Sequence, residues 1–148
     1  MEAPFVLPAE ETAAEAIDAI RDELELFDDW MERYQYIIEM GRKLPPFPKD
    51  WCDDAHRVPG CQSQVWLEAK EEDGILYFAG LSDAAIVCGL VALLLRVYSG
   101  RSPEEILNTD PQFLRDLGLV QALSTNRGNG VEAMARAIRS AAAPQKIS

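Results

Sequence analysis

The sequence predicts a small antiparallel sheet with helices packed around it, and three observations lead there. From Gln64 on, Val65, Leu67 and Ala69 alternate with Gln64, Trp66, Glu68 and Lys70, the two-residue period of a strand with one buried face. Glu71-Glu72-Asp73-Gly74 then precedes a second apolar run at residues 75–79, and Asp-Gly between such runs signals a tight hairpin. Finally, residues 83–98 spread Ile86, Val87, Leu90, Val91, Leu93, Leu94 and Val97 around nearly the whole helical circumference. A helix apolar on all sides belongs in a core, here packed on the sheet. Two strands alone are marginal in water, so a third is expected from residues near 57–59.

The remaining elements follow in chain order. The first residues, to Pro8 and on to about Glu11, read as a loose tail. From Thr12, Ile17, Ile20, Leu24 and Phe27 share a helical face opposite Asp18, Arg21, Asp22 and Glu25. Asp29 and Glu32 have capping-box spacing for a second helix, whose apolar side carries Trp30, Tyr34, Ile37 and Ile38 and whose stop is expected at Gly41. Residues 44–48, with three prolines, favour an extended strap, and residues 50–59 an irregular connection holding Cys52 and His56. Ser82 is expected to cap the central helix. Ser102-Pro103-Glu104-Glu105 gives cap, proline and acid in helix-starting order; Asp110-Pro111 repeats the device, with Gly118 as the stop. Residues 123–130 read as a polar loop holding Arg127, and the last helix runs from Val131 to about Ala142, with Val131, Met134, Ala135 and Ile138 inward.

The totals narrow the function. With 148 residues the chain reads as one domain, long enough to bury roughly 70% of its unfolded surface. A formal net charge of -11 argues against neutralising a nucleic-acid backbone and favours, if anything, a basic patch on a protein partner. Three cysteines without close pairing make no disulfide framework and suit a reducing compartment. The N-terminus lacks the pattern of a secretory signal or transit peptide, and the apolar run at 84–97 is too short for a bilayer, so a cytoplasmic protein without membrane contact is expected.

Chemistry centres on Cys61, which follows Pro59-Gly60, a turn signal, immediately before the first strand. It reads either as a nucleophilic thiolate at a loop tip or as a small buried hydrophobe. Cys88 lies among Val87, Gly89 and Leu90 and reads as a core thiol. Cys52 offers a resolving thiol or an inert one, and His56 either orients or deprotonates a thiol or has no catalytic part. Cys52, Cys61, Cys88 and His56 together offer soft ligands for a metal or Fe–S scaffold, although their spacing matches no zinc-finger pattern. A thiol redox enzyme pairing Cys52 with Cys61 is a third class. Arg127, between Asn126 and Gly128, reads as a grip for an anion or partner carboxylate or as a surface arginine. No nucleotide-binding, dinucleotide-binding, zinc-protease or serine-hydrolase motif is present, and no cofactor is expected.

Several segments together resemble the SufE/CsdE family of sulfur acceptors in iron–sulfur cluster assembly. They are Tyr36-Ile37-Ile38-Glu39-Met40-Gly41 with Leu44-Pro45, then Val58-Pro59-Gly60-Cys61-Gln62-Ser63-Gln64-Val65-Trp66, Ser82-Asp83-Ala84-Ala85-Ile86-Val87, residues 123–130, and Gly130-Val131-Glu132-Ala133-Met134. The resemblance implies an α+β fold, three antiparallel strands packed with helices, similar to the scaffold IscU without its ligand set. It also implies an accessory role beside a pyridoxal-phosphate cysteine desulfurase of SufS or CsdA type rather than a stand-alone enzyme. Cys61 is then the residue that takes persulfide sulfur, activates the desulfurase and passes the sulfur to a SufBCD-type scaffold. Gly60, Gln62, Ser63, Asp83 and Arg127 are implied in partner docking or loop positioning, and a monomer is expected. The chain departs from the family where Cys88 replaces a frequent basic residue, and in an acidic N-terminal extension reaching about Leu26.

Overall fold

The computed structural model describes residues 4–60, 63–119 and 125–143, with side chains outside 125–130. Six α-helices and one hairpin are present among them: α1 (Ala13–Glu25), α2 (Trp30–Arg42), β1 (Val65–Glu72), β2 (Ile75–Ser82), α3 (Ala85–Tyr98), α4 (Pro103–Asn108), α5 (Phe113–Asp116) and α6 (Thr125–Ala142). A single 3₁₀ turn, Lys49–Trp51, follows the proline strap.

The local signals for helix starts hold at three places. Thr12, Asp29 and Ser102 each accept the backbone N–H three residues on, from Glu15 (3.0 Å), Glu32 (2.9 Å) and Glu105 (3.1 Å). Glu105 then does something local spacing does not reveal. Its carboxylate accepts the N–H of Ala13 (2.7 Å), capping α1 from the far end of the chain. Asp110 accepts from the Gln112 N–H (2.8 Å), and α5 starts just after, at Phe113, with Gly118 (φ 75°) beyond its end.

α3 is the centre. Its residues Leu90, Leu93, Leu94, Leu95, Val97 and Tyr98 are all fully buried, as the pattern demanded. β2 packs on one side of it, α1 and α6 on others, and α2 crosses it closely. That crossing corrects the reading of Gly41 as a helix stop, because α2 continues through it to Arg42. A methyl group on Gly41 would fall 2.6 Å from the Gly89 nitrogen, and one on Gly89 would fall 2.1 Å from the Ile37 carbonyl oxygen. The two glycines let α2 and α3 meet backbone to backbone.

β1 and β2 pair antiparallel from Val65↔Ser82 to Glu72↔Ile75. The turn is Asp73-Gly74, both with positive φ (54° and 79°), as a right-twisting two-residue turn requires. The expected third strand is reduced to one bridge, Arg57↔Trp66, beside β1. Val58 N–H donates to the Val65 carbonyl (2.8 Å), and Leu67 N–H to the His56 carbonyl (2.9 Å). Pairing stops there because Pro59 has no N–H to give and Gly60 turns away at φ 87°. The outer edge of β2 is covered too. Leu76 pairs with Arg101, while the Phe78 carbonyl accepts from Val6 N–H (2.9 Å).

That last bond contradicts a loose tail. Phe5 is buried, Ser99 Oγ–H donates to the Val6 carbonyl (2.6 Å), and Glu10 forms an ion pair with Arg96 (2.7 Å). Two apolar residues, Phe5 and Val6, are enough to dock a short segment on an open sheet edge. Two further expectations are corrected. Ser82 does not cap α3; its Oγ accepts from Ala84 N–H in the turn before it, and no side chain caps α3. α6 begins at Thr125, so Arg127 sits in a helix rather than a loop. Once residues 131–142 are packed, each added helical residue gains a bond, and weak propensity upstream does not stop propagation.

Arg101 is an unusual core member, only 2% exposed. Its guanidinium donates to the carbonyls of Val97 (3.1 Å), Glu10 (2.7 Å) and Arg96 (3.3 Å), so it terminates α3 where helix carbonyls lack partners. Burial pushes its pKa below the ordinary arginine value.

Candidate functional site

Two arms of chain lead into and out of the Cys61-Gln62 pair, and both are tied to the hairpin. The incoming arm, residues 56–60, lies along β1 through the His56 and Val58 bonds described above. Gly60 ends it with a positive φ that a side chain would resist, and its Cα faces Ala133 of α6. The outgoing arm is tied by Asp83 twice. Its carboxylate Oδ1 accepts from Gln64 N–H (3.1 Å), and its own N–H donates to the Gln64 carbonyl (3.2 Å). Asp83 is exposed and stands at the turn between β2 and α3, one register step past the Val65↔Ser82 pair. Ser63, which begins the outgoing arm, is half-buried.

Asp83, Gly60 and Ser63 are therefore brought to the cysteine arms. Cys61, Gln62 and the side chain of Arg127 lie outside the described residues. The other two cysteines go elsewhere. Cys88 is at the α2–α3 crossing, its thiol 3.8 Å from the Gly41 carbonyl. Cys52 is half-buried behind the 3₁₀ turn, with its thiol 3.9 Å from the Pro48 carbonyl. Among the described residues no three metal-ligating side chains gather at one point.

His56 is held on both sides. Nδ1 lies 2.7 Å from Asp53 Oδ1 and Nε2 lies 2.8 Å from Glu68 Oε2, while Trp51 stacks on the ring (centroids 5.6 Å apart, planes 13° apart). Both ring nitrogens face carboxylate oxygens, which only accept, so the arrangement calls for an imidazolium donating twice. The hydrogen bond to Asp53, then that to Glu68, raises the pKa of His56, and the same histidine lowers that of Asp53. In this state the ring has no lone pair with which to deprotonate a thiol, one of the roles the sequence left open. Glu68, Asp53 and Trp51 carried no signal of their own; only the fold brings β1, the turn at Asp53 and the 3₁₀ turn together.

A hairpin backed by helices, with two arms pinned to it on either side of residues 61–62 in the chain, defines a small α+β module. Comparison with known proteins names the family. The model for SufE, described as an Fe-S metabolism associated domain, matches residues 18–142. An uncharacterized SufE-like protein of Rhizobium meliloti is 41% identical over 132 residues, covering 86% of this chain and 94% of that protein. One from Rhizobium etli is 41% identical over 129 residues, covering 84% and 87%. The chain belongs to the SufE family. A solution structure of a hypothetical protein from Thermus thermophilus shares the fold, with a TM-score of 0.70 at 24% identity over 93% of this chain and 96% of that one. Membership ties the chain to iron–sulfur metabolism and implies a cysteine desulfurase as partner. No helix among the described residues is long and apolar enough to cross a membrane.

Proposed function

We propose that the protein is a sulfur carrier: Cys61 accepts sulfur from a pyridoxal-phosphate cysteine desulfurase of SufS or CsdA type and passes it to a SufBCD-type scaffold. The observation that carries this reading is the placement of the Gly60-to-Trp66 motif of a SufE-family chain across two arms pinned to one hairpin edge.

The chemistry is thiol exchange. The Cys61 thiolate attacks the outer sulfur of the desulfurase persulfide, the S–S bond breaks, and the desulfurase cysteine leaves as a thiolate. Cys61 then carries the persulfide, with no net oxidation or reduction. Clearing the desulfurase permits its next turnover, which makes the carrier an activator. The arms suit this task, since a few hydrogen bonds at an exposed margin can be given up on docking. Gly60, Gln62, Ser63, Asp83 and Arg127 belong to this reading as docking or loop-positioning residues.

The test is peptide mass spectrometry after incubation with an active desulfurase and L-cysteine. The Cys61 peptide is expected to gain one sulfur, removed by dithiothreitol, and Cys61→Ser is expected to lose both the added sulfur and the stimulation of the desulfurase. Full stimulation by Cys61→Ser would overturn the proposal.

A further inference from the structure

The arm entering Cys61 depends on a side chain that thiol exchange itself does not require. His56 supplies the carbonyl that accepts from Leu67 of β1, and its ring reaches across to Glu68 on the same strand. Its other nitrogen faces Asp53, which also accepts the His56 backbone N–H (3.0 Å). We infer that His56 is a positioning residue for Cys61: doubly protonated, it ties the incoming arm to β1 through Glu68, and loss of one proton releases that tie. The inference rests on Cys61 being the working thiol.

The direction follows from counting donors. An imidazolium has two N–H groups and a neutral imidazole one, so on deprotonation one carboxylate faces a bare lone pair. Asp53 is three residues away and stays held by the backbone N–H, so Glu68, on another element, is the partner given up. The charged groups facing the ring are Asp53 from its own turn and Glu68 from β1; Trp51 of the 3₁₀ turn covers one face without charge, and Asp54 and Arg57 flank it in the chain. Because the folded pKa is raised above 6.5, the tie is complete below that pH and is lost as pH rises through the folded value. The ring side chain is 18% exposed, so protons exchange without unfolding. An arm that loosens as His56 loses its proton leaves the chain entering Cys61 less constrained.

The experiment follows the full-length protein by NMR across the titration of the His56 ring, reading hydrogen-exchange protection of the Leu67 and Val58 amides. In parallel, Cys61 alkylation by iodoacetamide is read by peptide mass and corrected for the thiolate fraction. Protection of Leu67 is expected to fall about fivefold as His56 loses its proton, the size of one ordinary hydrogen bond, with alkylation rising by a similar factor. His56→Arg keeps charge and several donors at every pH and is expected to flatten both profiles. Glu68→Ala, which removes the partner on β1 altogether, is expected to show the loosened values at every pH with the His56 midpoint shifted down. Flat protection through the wild-type titration, or an unchanged profile in His56→Arg, would overturn the inference. Neither readout involves a desulfurase, so a failure to load sulfur on Cys61 sinks the carrier proposal while leaving the tie measurable.

Discussion

The α2–α3 crossing and the margin of the hairpin solve opposite problems with opposite materials. At the crossing, two backbones touch through Gly41 and Gly89, and the facing side chain of Ile37 and the α3 leucines are sealed from water. At the margin, the arms around Cys61 hang on a handful of polar ties from His56, Val58 and Asp83, with His56 half-buried and Asp83 exposed. Dense apolar packing tolerates no intrusion, whereas a hydrogen bond near water is worth about 1 kcal/mol and is regained from solvent when broken. Stability is concentrated where nothing has to move, and the two arms, held by few such bonds, are expected to open more readily than the crossing.

The sharpest way to break that contrast is to fill the crossing. Gly89→Ala puts a methyl 2.1 Å from a backbone oxygen that has no room to retreat, and is expected to cost about 3 kcal/mol in urea unfolding. A loss below about 1 kcal/mol would show that the helices slide apart freely, and that the crossing is no more rigid than the margin.

A smaller effect is expected beside the crossing, where Arg96 of α3 pairs with Glu10 (2.7 Å) and Glu23 (2.8 Å), and Tyr36 of α2 donates to Glu23. Arg96→Met leaves two partly buried carboxylates without their cation and should cost about 2 kcal/mol, discounted from a fully buried pair because Glu23 is a third exposed. The hydrogen bond from Arg96 holds the Glu23 pKa below 4.5. A depressed carboxylate contributes stability above its unfolded pKa and loses it as pH falls through the folded value, so the wild type should weaken on acidification below pH 4.5. Arg96→Met should show less of that slope in denaturation across a pH series. Equal slopes would assign the acid sensitivity elsewhere.

The smallest global effect belongs to the margin. Asp83→Ala removes the acceptor for Gln64 N–H at an exposed turn, and the unfolding free energy should change by under about 0.5 kcal/mol. Cys61 alkylation should nonetheless speed up about threefold, because the outgoing arm has lost a tie of ordinary strength. A large stability loss with unchanged alkylation would reverse the comparison.

How much of this was legible depends on the distance over which each cause acts. Asp29 and Ser102 were readable as caps because donor and acceptor lie three residues apart in the chain. Asp73-Gly74 was readable because a turn's backbone angles are set by its own two residues. Gly41 was misread for the opposite reason: a glycine near a helix end looks like a stop, and only the facing Gly89 shows it to be a contact. The third strand failed for a mixture of both. Its place beside β1 was right, but Pro59 and the turn at Gly60 cut it to one bridge. At the site, the motif around Cys61 pointed to the family, and Asp83 was named by its place in that motif. His56 was noticed as a possible partner for a thiol, but its partners proved to be Asp53 and Glu68.

The sequence by itself determined the core helix, the hairpin, the principal caps and the SufE-family motif, because periodicity, turn chemistry and short-range bonding are all written within a few residues. Tertiary structure alone decided that Gly41 and Gly89 form a crossing, that Glu105 caps α1, that residues 5–10 dock on the sheet and α3, and that Arg101 ends α3 from inside the core. It also decided that His56 bridges a turn and a strand. Each of these joins groups far apart in the chain, and such a contact is specified by which surfaces meet when the core closes, a condition no local window of sequence contains.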